Sequence, residues 1–141
     1  MSSVDIRPFT PADTEGVVSL WQATGLTRPW NNPYQDISRK LEVQPELFLV
    51  AVDADDVVGS VMAGYDGHRG WLYYLAATPA RRGEGIGRRL VEAAEERLLA
   101  LGCPKVQLMV RPENGGVHDF YARLGYEPFD TWTTGKRLIS D

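Results

Sequence analysis

The hydrophobic positions of the chain change their spacing several times, and each spacing is typical of one kind of element. Short stretches in which apolar residues alternate with polar ones or run together predict strands. The pattern of the region that begins at Tyr126 also predicts strands. The predicted strands are 4–7, 47–52, 57–63, 71–77, 105–110 and the last strands within 126–138.

Between the strands, apolar residues recur every three to four positions, which is the spacing of a helix with one buried face. Thr10 and Pro11 predict a helix start, because threonine is a good N-cap and proline fits the first helical position. The Pro/Asn-rich stretch 28–33 predicts a loop, and Asp36 is expected to cap the next helix. The predicted helices run from Pro11 to near Gly25, over 36–41, from Ile86 to near Gly102, and over 117–124.

This order of elements predicts an α+β fold. A helix that connects the strands 71–77 and 105–110 implies that these two strands are parallel, whereas the other strands can pair as antiparallel hairpins. The 141 residues contain no internal repeat, linker or low-complexity segment, so we expect a single domain over residues 1–141.

Composition narrows the classes of partner. The net charge of -4 argues against nucleic acid as a partner. One cysteine, Cys103, excludes an internal disulfide framework and a cysteine-rich zinc site, and we expect no metal. The chain has no apolar leader at its start and no run of ~20 apolar residues, so we expect a cytoplasmic protein without a membrane partner.

Three alternating glycines stand among arginines where the longest helix begins. Glycine costs ~1 kcal/mol against alanine inside a helix, so we expect an anionic ligand to approach the bare backbone closely. The chain lacks the Lys-hydroxyl pair of a Walker loop, and Arg88 or Leu90 replaces the third glycine of a dinucleotide fingerprint. Residues 82–87 do fit R-x-x-G-x-G. A solvated loop with a charged helix start is the alternative explanation.

The R-x-x-G-x-G segment resembles the acyl-CoA signature of the GNAT family of N-acetyltransferases. The preceding strand "LYYLAATP", and Asn114 followed by Tyr121 and "LGY", resemble the same family, whose element order matches from Ile6 to about Ile139. The segments "LTRPWNNP", "GYDGHRG", "LGCPK" and "GKRLI" resemble the small YpeA-like bacterial acetyltransferases within it. The resemblance implies a central mixed, mostly antiparallel sheet of six to seven strands, a parallel splayed pair at the CoA cleft, and about four flanking helices.

The resemblance also implies acetyl-CoA as cosubstrate. The backbone of three strand residues would pair with the pantetheine arm, and Asn114 would contact that arm or cap the following helix. Tyr121 would protonate the departing thiolate, with aromatic packing as its alternative role. The residues implied for the cosubstrate are Leu75, Ala76 and Ala77 on the strand, Arg82, Gly83, Glu84, Gly85, Ile86, Gly87 and Arg88 around the pyrophosphate, and Asn114.

The general base is not evident. Many members of the family carry a glutamate where Met109 stands in this chain. Asp66 and His68 lie on a turn and could act through water, although a tight turn alone would explain both. His118 fits either a cofactor contact or a surface position. We expect Trp30 and Asn31, from the Pro/Asn loop, to approach the acceptor together with Asp66 and His68.

The sequence therefore predicts an acetyl-CoA-dependent N-acetyltransferase in which an amine attacks the thioester directly in a ternary complex. A non-catalytic acyl-CoA-binding or sensor module on the same fold is the alternative. The acceptor amine is unidentified, and a homodimer is compatible with the family.

Overall fold

The computed structural model describes residues 3–141. Within that range the chain forms five strands, four α-helices and three short 3-10 turns. The strands are β1 (Val4–Pro8), β2 (Phe48–Asp53), β3 (Asp56–Tyr65), β4 (Gly70–Ala77) and β5 (Val106–Gln107). The helices are α1 (Thr14–Ala23), α2 (Pro33–Glu42), α3 (Ile86–Ala100) and α4 (Gly115–Arg123).

The strands form one sheet in the order β1-β2-β3-β4-β5. The first three pairings are antiparallel, while β4 and β5 are parallel and are connected through α3. This confirms the predicted α+β class and the predicted parallel pair.

The sheet separates two apolar cores. On one face, α3 packs Leu90 and Leu98 against sheet residues such as Val61. On the other face, α1 packs Trp21 against Phe48 and other sheet residues. No helix in the described part of the chain is long and apolar enough to cross a membrane.

The prediction of six to seven strands was wrong for the described residues, which contain five. β5 covers two residues of the predicted strand 105–110, and no strand follows α4. The alternation after Tyr126 does not create a buried face, because Trp132, Leu138 and Ile139 are all exposed. Pro128 also lacks the N–H that a central strand would donate.

Helix α2 begins earlier than its sequence predicts. The side-chain carbonyl of Asn32 accepts hydrogen bonds from the N–H groups of Tyr34 (3.0 Å) and Gln35 (3.4 Å), and Pro33 occupies the first helical position. Asn32, rather than Asp36, is therefore the N-cap. As a result, Asp36 lies within the first turn of a helix that packs on the sheet through Ile37.

A bulge interrupts β4 in its middle. The register with β3 shifts between Ser60 and Met62, and Tyr74 adopts the left-handed backbone conformation, with φ of 53°. The indole N–H of Trp21 donates to Ser60 Oγ (2.9 Å), which in turn donates to the Tyr74 carbonyl (2.8 Å). The Tyr74 ring stacks on Trp21 with centroids 3.8 Å apart. This buried network holds the bulge immediately before Leu75.

Candidate active site

The parallel strands β4 and β5 separate soon after they meet. Their pairing covers only Gly70 with Val106 and Trp71 with Gln107, whereas β4 continues to Ala77. In the described part of the chain, β4 therefore has no strand partner beyond Trp71 on the edge that faces β5. This is the predicted splayed pair, and it leaves peptide groups available to a ligand.

The turn before α3 needs glycine for its backbone. Gly83 and Gly85 have φ of 88° and 76°, in the region that disfavours residues with a Cβ. A Cβ at either position would meet nothing within 4 Å, so packing does not explain these two glycines. At Gly87, by contrast, a Cβ would lie 3.4 Å from the ring of Phe120 on α4.

The arginines around this turn differ in their partners. Arg81 forms ion pairs with Asp53 (2.6 Å) and Glu84 (2.9 Å), and Arg88 pairs with Glu92 (3.3 Å). Arg82 is exposed and has no side-chain partner within residues 3–141. No side chain caps the start of α3. Free helix N–H groups beside an unpaired arginine can bind an anion such as a pyrophosphate.

Tyr121 lies on α4, in the apolar cluster that also includes Leu75 and Leu108 from the two sides of the splay. Its side chain is 7% exposed, and its ring contacts Phe120 and Tyr126 edge to face. Burial raises the pKa of Tyr121 to about 12, so the phenol stays protonated at neutral pH. Its hydroxyl makes no hydrogen bond within the described chain. Every fully buried side-chain polar atom of the described residues has a hydrogen-bond partner, so this hydroxyl is not fully buried. The hydroxyl is therefore accessible and free to donate.

Asn114 and His118 flank the start of α4. Asn114 occupies the N-cap position, but its side chain makes no capping hydrogen bond. The exposed amide therefore remains available to a ligand. His118 is exposed, and its Nε2 donates to the carbonyl of Arg111 (3.0 Å). That contact places His118 on the surface, in agreement with one of its two predicted positions.

A cavity of about 650 Å³, which we call the acceptor cleft, lies on the α1–α2 face of the sheet. Its wall includes Trp30 and Asn31 from the α1–α2 loop, Tyr73 and Tyr74 from β4, and Met109 after β5. Trp30 is 56% exposed, although it lines the cleft. The structure thus brings the two predicted loop residues beside the strand that carries the splay.

Asp66 and His68 do not line the acceptor cleft. Asp66 Oδ1 accepts the N–H groups of His68 (2.8 Å) and Arg69 (2.7 Å), and Oδ2 accepts the indole N–H of Trp71 (3.3 Å). The two backbone donors lower the pKa of Asp66. These contacts close the β3–β4 turn, so the structure does not place Asp66 and His68 together with Trp30 and Asn31.

Asp36 is a candidate that the sequence analysis missed. Among the described residues it is the only carboxylate that lines the acceptor cleft. Its Oδ2 accepts the hydroxyl proton of Tyr74 at 2.6 Å, which fixes the carboxylate against β4. The sequence analysis interpreted Asp36 as an N-cap and therefore did not place it in the cleft. Recognition of Asn32 as the cap would have placed Asp36 on the helix, one residue before the apolar Ile37.

Comparison with known proteins shows the family of this chain. Residues 15–126 match the model of the "Acetyltransferase (GNAT) family". Two bacterial proteins, each named as an acetyltransferase, are 51% identical over 98% of both chains; they come from Pectobacterium atrosepticum and Yersinia enterocolitica.

Solved structures show the same fold. A crystal structure of Ard1 from Thermoplasma volcanium matches with a TM-score of 0.77 and 28% identity, covering 88% of this chain and 82% of that one. The NatC complex bound to Gag peptide and CoA matches with a TM-score of 0.76 and 24% identity, covering 87% and 84%. At that identity the second likeness concerns the fold alone.

Proposed function

Because this chain belongs to the GNAT family of acetyltransferases, we propose that it transfers an acetyl group from acetyl-CoA to an amine of a small molecule or protein. The observation that carries the proposal is the splay between β4 and β5, which opens beside the uncapped start of α3. One element offers unpaired strand backbone and the other offers N–H groups for a pyrophosphate. Together they suit the two ends of the pantetheine diphosphate arm.

The residues around the splay fit acetyl-CoA, which supplies the acetyl thioester when bound. The Gly83–Gly85 turn, the first N–H groups of α3 and the unpaired Arg82 would hold the pyrophosphate. The backbone of 75–77 would pair with the pantetheine amides, and the uncapped side chain of Asn114 would contact the same arm.

Two residues carry the two proton transfers, Tyr121 at the splay and Asp36 in the cleft. The cleft holds the neutral amine, which forms an N–C bond to the acetyl carbonyl carbon while the C–S bond breaks. Asp36 accepts the proton that the amine nitrogen loses, since no other carboxylate of the described chain lines the cleft. Tyr121 donates its hydroxyl proton to the departing sulfur, against the raised pKa that burial gives this phenol.

A non-catalytic CoA-binding module is the second candidate. The absence of an acid at Met109 favours it, because the resemblance to the family implies a glutamate as base at that position. The free hydroxyl of Tyr121 and the carboxylate of Asp36 in the cleft favour catalysis instead.

The binding step can be tested with Arg82→Gln. Arg82 has no side-chain partner among residues 3–141, so we expect its loss to leave the fold unchanged but to remove one charge-assisted contact to phosphate. We expect about a tenfold weaker acetyl-CoA affinity by calorimetry, at the lower end of the range for hydrogen bonds to charged groups. The matched control is Arg97→Gln, at the opposite end of α3, where the arginine contacts the Ala93 carbonyl.

A second ligand isolates the phosphate contact. S-acetylpantetheine has no pyrophosphate, so its affinity should be equal in wild type and Arg82→Gln. An unchanged acetyl-CoA affinity in Arg82→Gln would contradict the proposed pyrophosphate site. Release of free thiol with a panel of amines then separates an acetyltransferase, which consumes acetyl-CoA, from a sensor module, which only binds it.

A further inference from the structure

The acceptor cleft has an excess of positive charge, although the whole chain carries a net charge of -4. Four cations line it, against the single carboxylate of Asp36. One of the four, Arg39, is compensated, because it pairs with Asp36 (3.4 Å) and with Asp141 (2.6 Å). The other three are Arg28, Lys40 and Arg111.

These three cations form no ion pair with a carboxylate anywhere in residues 3–141. The guanidinium of Arg28 donates to the carbonyls of Gly25 (2.6 Å) and Thr27 (3.0 Å), which position it without compensating its charge. Arg111 is exposed beside the splay. All three therefore keep a full positive charge available to a ligand.

Lys40 is the most informative of the three, because its residue is only 8% exposed. Burial lowers the pKa of its ammonium group, and the charge of Glu46 only partly opposes that effect. Its Nζ still reaches solvent, because every fully buried side-chain polar atom among residues 3–141 has a hydrogen-bond partner and Nζ has none. A partly buried ammonium group without an ion-pair partner is poorly solvated, and a ligand that supplies negative charge would stabilise it.

One cation of the cleft is already bound by a carboxylate of the chain that does not itself line the cleft. Asp141 accepts Arg39 Nη2 at 2.6 Å and the backbone N–H of Asn32 at 3.0 Å. This contact occupies Arg39 and leaves the charges of Arg28, Lys40 and Arg111 uncompensated.

We propose that the acceptor is a small amino acid, whose carboxylate is bound by Arg28, Lys40 and Arg111 and whose amine faces Asp36. This deepens the proposed function and rests on it. The cavity of about 650 Å³ has the size of a small-molecule site. The uncompensated cations would repel polycationic acceptors, such as polyamines, aminoglycosides or lysine-rich protein tails.

The test compares acceptors that differ only in charge. Each free amino acid is assayed with acetyl-CoA beside its carboxamide and its decarboxylated amine, and O-phosphoethanolamine and spermidine complete the panel. We expect at least one amino acid to exceed its own carboxamide tenfold or more in kcat/KM. Equal or better turnover of the carboxamide or of spermidine would overturn the inference and leave acetyl transfer intact. Preference for O-phosphoethanolamine would overturn the carboxylate as the recognised anion.

A binding measurement removes the dependence on turnover. In the presence of CoA, calorimetry compares each N-acetylated amino acid with its carboxamide. Tighter binding of the carboxylate form supports the inference, whereas equal binding of the two forms overturns it. A carboxylate preference without acetylation of any amine would refute acetyl transfer while carboxylate recognition stands.

Substitutions of the cations test whether these residues bind the carboxylate of the acceptor. Lys40→Met keeps the buried stem, and Arg111→Gln changes an exposed residue that folding does not need. Both should raise KM about tenfold for the amino acid but not for its carboxamide, with kcat within twofold. Arg123→Gln, an exposed arginine of α4 outside the cleft, is the control. A rise in KM for acetyl-CoA instead would assign these cations to its phosphates and overturn the inference.

Discussion

Removal of one hydroxyl group should destabilise the bulge of β4 measurably. Ser60 is fully buried, accepts the indole N–H of Trp21 and donates to the carbonyl of Tyr74. Ser60→Ala leaves both partners without their hydrogen bond inside the core. Each unsatisfied buried group costs ~1–3 kcal/mol, so we expect a total loss of about 2–6 kcal/mol in the free energy of unfolding.

The loss is large enough to measure by two methods. With an unfolding entropy of ~2.1 cal/mol/K per residue, a chain of 141 residues loses about 3 °C in melting temperature per kcal/mol. Ser60→Ala should therefore melt roughly 6–18 °C lower. Urea unfolding followed by circular dichroism gives the free energy directly, with an unchanged m-value if the mutation acts on the native state.

Two comparisons make the result specific. Ser19→Ala removes a hydroxyl from the exposed face of α1 and should change the stability by less than ~0.5 kcal/mol. In a double-mutant cycle, Ser60→Ala and Trp21→Phe should be non-additive by roughly 0.5–3 kcal/mol, since they share one hydrogen bond. A loss below ~1 kcal/mol in Ser60→Ala would refute the reasoning, because Trp21 and Tyr74 would then have other partners.

Two further predictions concern catalysis and pH. Tyr121→Phe should lower kcat by ~10²–10⁴ in steady-state assays and leave acetyl-CoA affinity unchanged in calorimetry. Tyr126→Phe removes the neighbouring phenol, which is bonded to Glu95, and should keep its turnover. Equal kcat in both variants would return Tyr121 to a packing role. Asp13 accepts two hydrogen bonds from Arg7, and these bonds lower the pKa of the Asp13 carboxyl. The ionised carboxylate therefore contributes to stability above its unfolded pKa of ~3.9, and this contribution is lost as pH falls through the lower folded pKa. Asp13→Asn should therefore be less stable than wild type by ~1–3 kcal/mol at pH 7 in urea unfolding, and the difference should shrink below pH ~4; a constant difference would exclude this ionic contribution.

The sequence predicted the elements whose pattern and packing agree. The apolar stretch of β2 and the helical stripe Ile86, Leu90, Ala94 and Leu98 are both buried as expected. The R-x-x-G-x-G motif indicated the turn before α3, where Gly83 and Gly85 have positive φ angles and Gly87 already belongs to the helix. Local pattern was sufficient at these places.

Alternation was misleading after Tyr126. Apolar residues such as Trp132 and Ile139 recur there, yet nothing in the structure covers them. Instead, Arg137 and Asp141 bind polar groups of the α1–α2 loop and α2. Hydrophobic spacing predicts a strand only where a second layer buries one of its faces.

The charge of the acceptor cleft could not be predicted by the same means. Arg28, Lys40 and Arg111 come from a loop, from α2 and from the segment after β5, and only the fold brings them to one cavity. In the sequence Lys40 and Arg111 each stand two residues before a glutamate, Glu42 and Glu113, and Arg28 lies in a Pro/Asn-rich loop, so each is interpreted as an ordinary surface charge. The missing ion pairs become visible only with the tertiary structure.

The position of Trp30 gives the protein a built-in optical signal. Its indole is half exposed on the wall of the acceptor cleft, while Trp21 is fully buried and Trp132 is almost fully exposed. A molecule that enters the cleft would shield Trp30 from water and from a soluble quencher such as acrylamide. The other three indoles, those of Trp21, Trp71 and Trp132, do not line the cleft, so their emission would stay as an internal standard. Compound libraries could thus be screened for cleft occupancy by fluorescence, before any acceptor is known and without a single turnover.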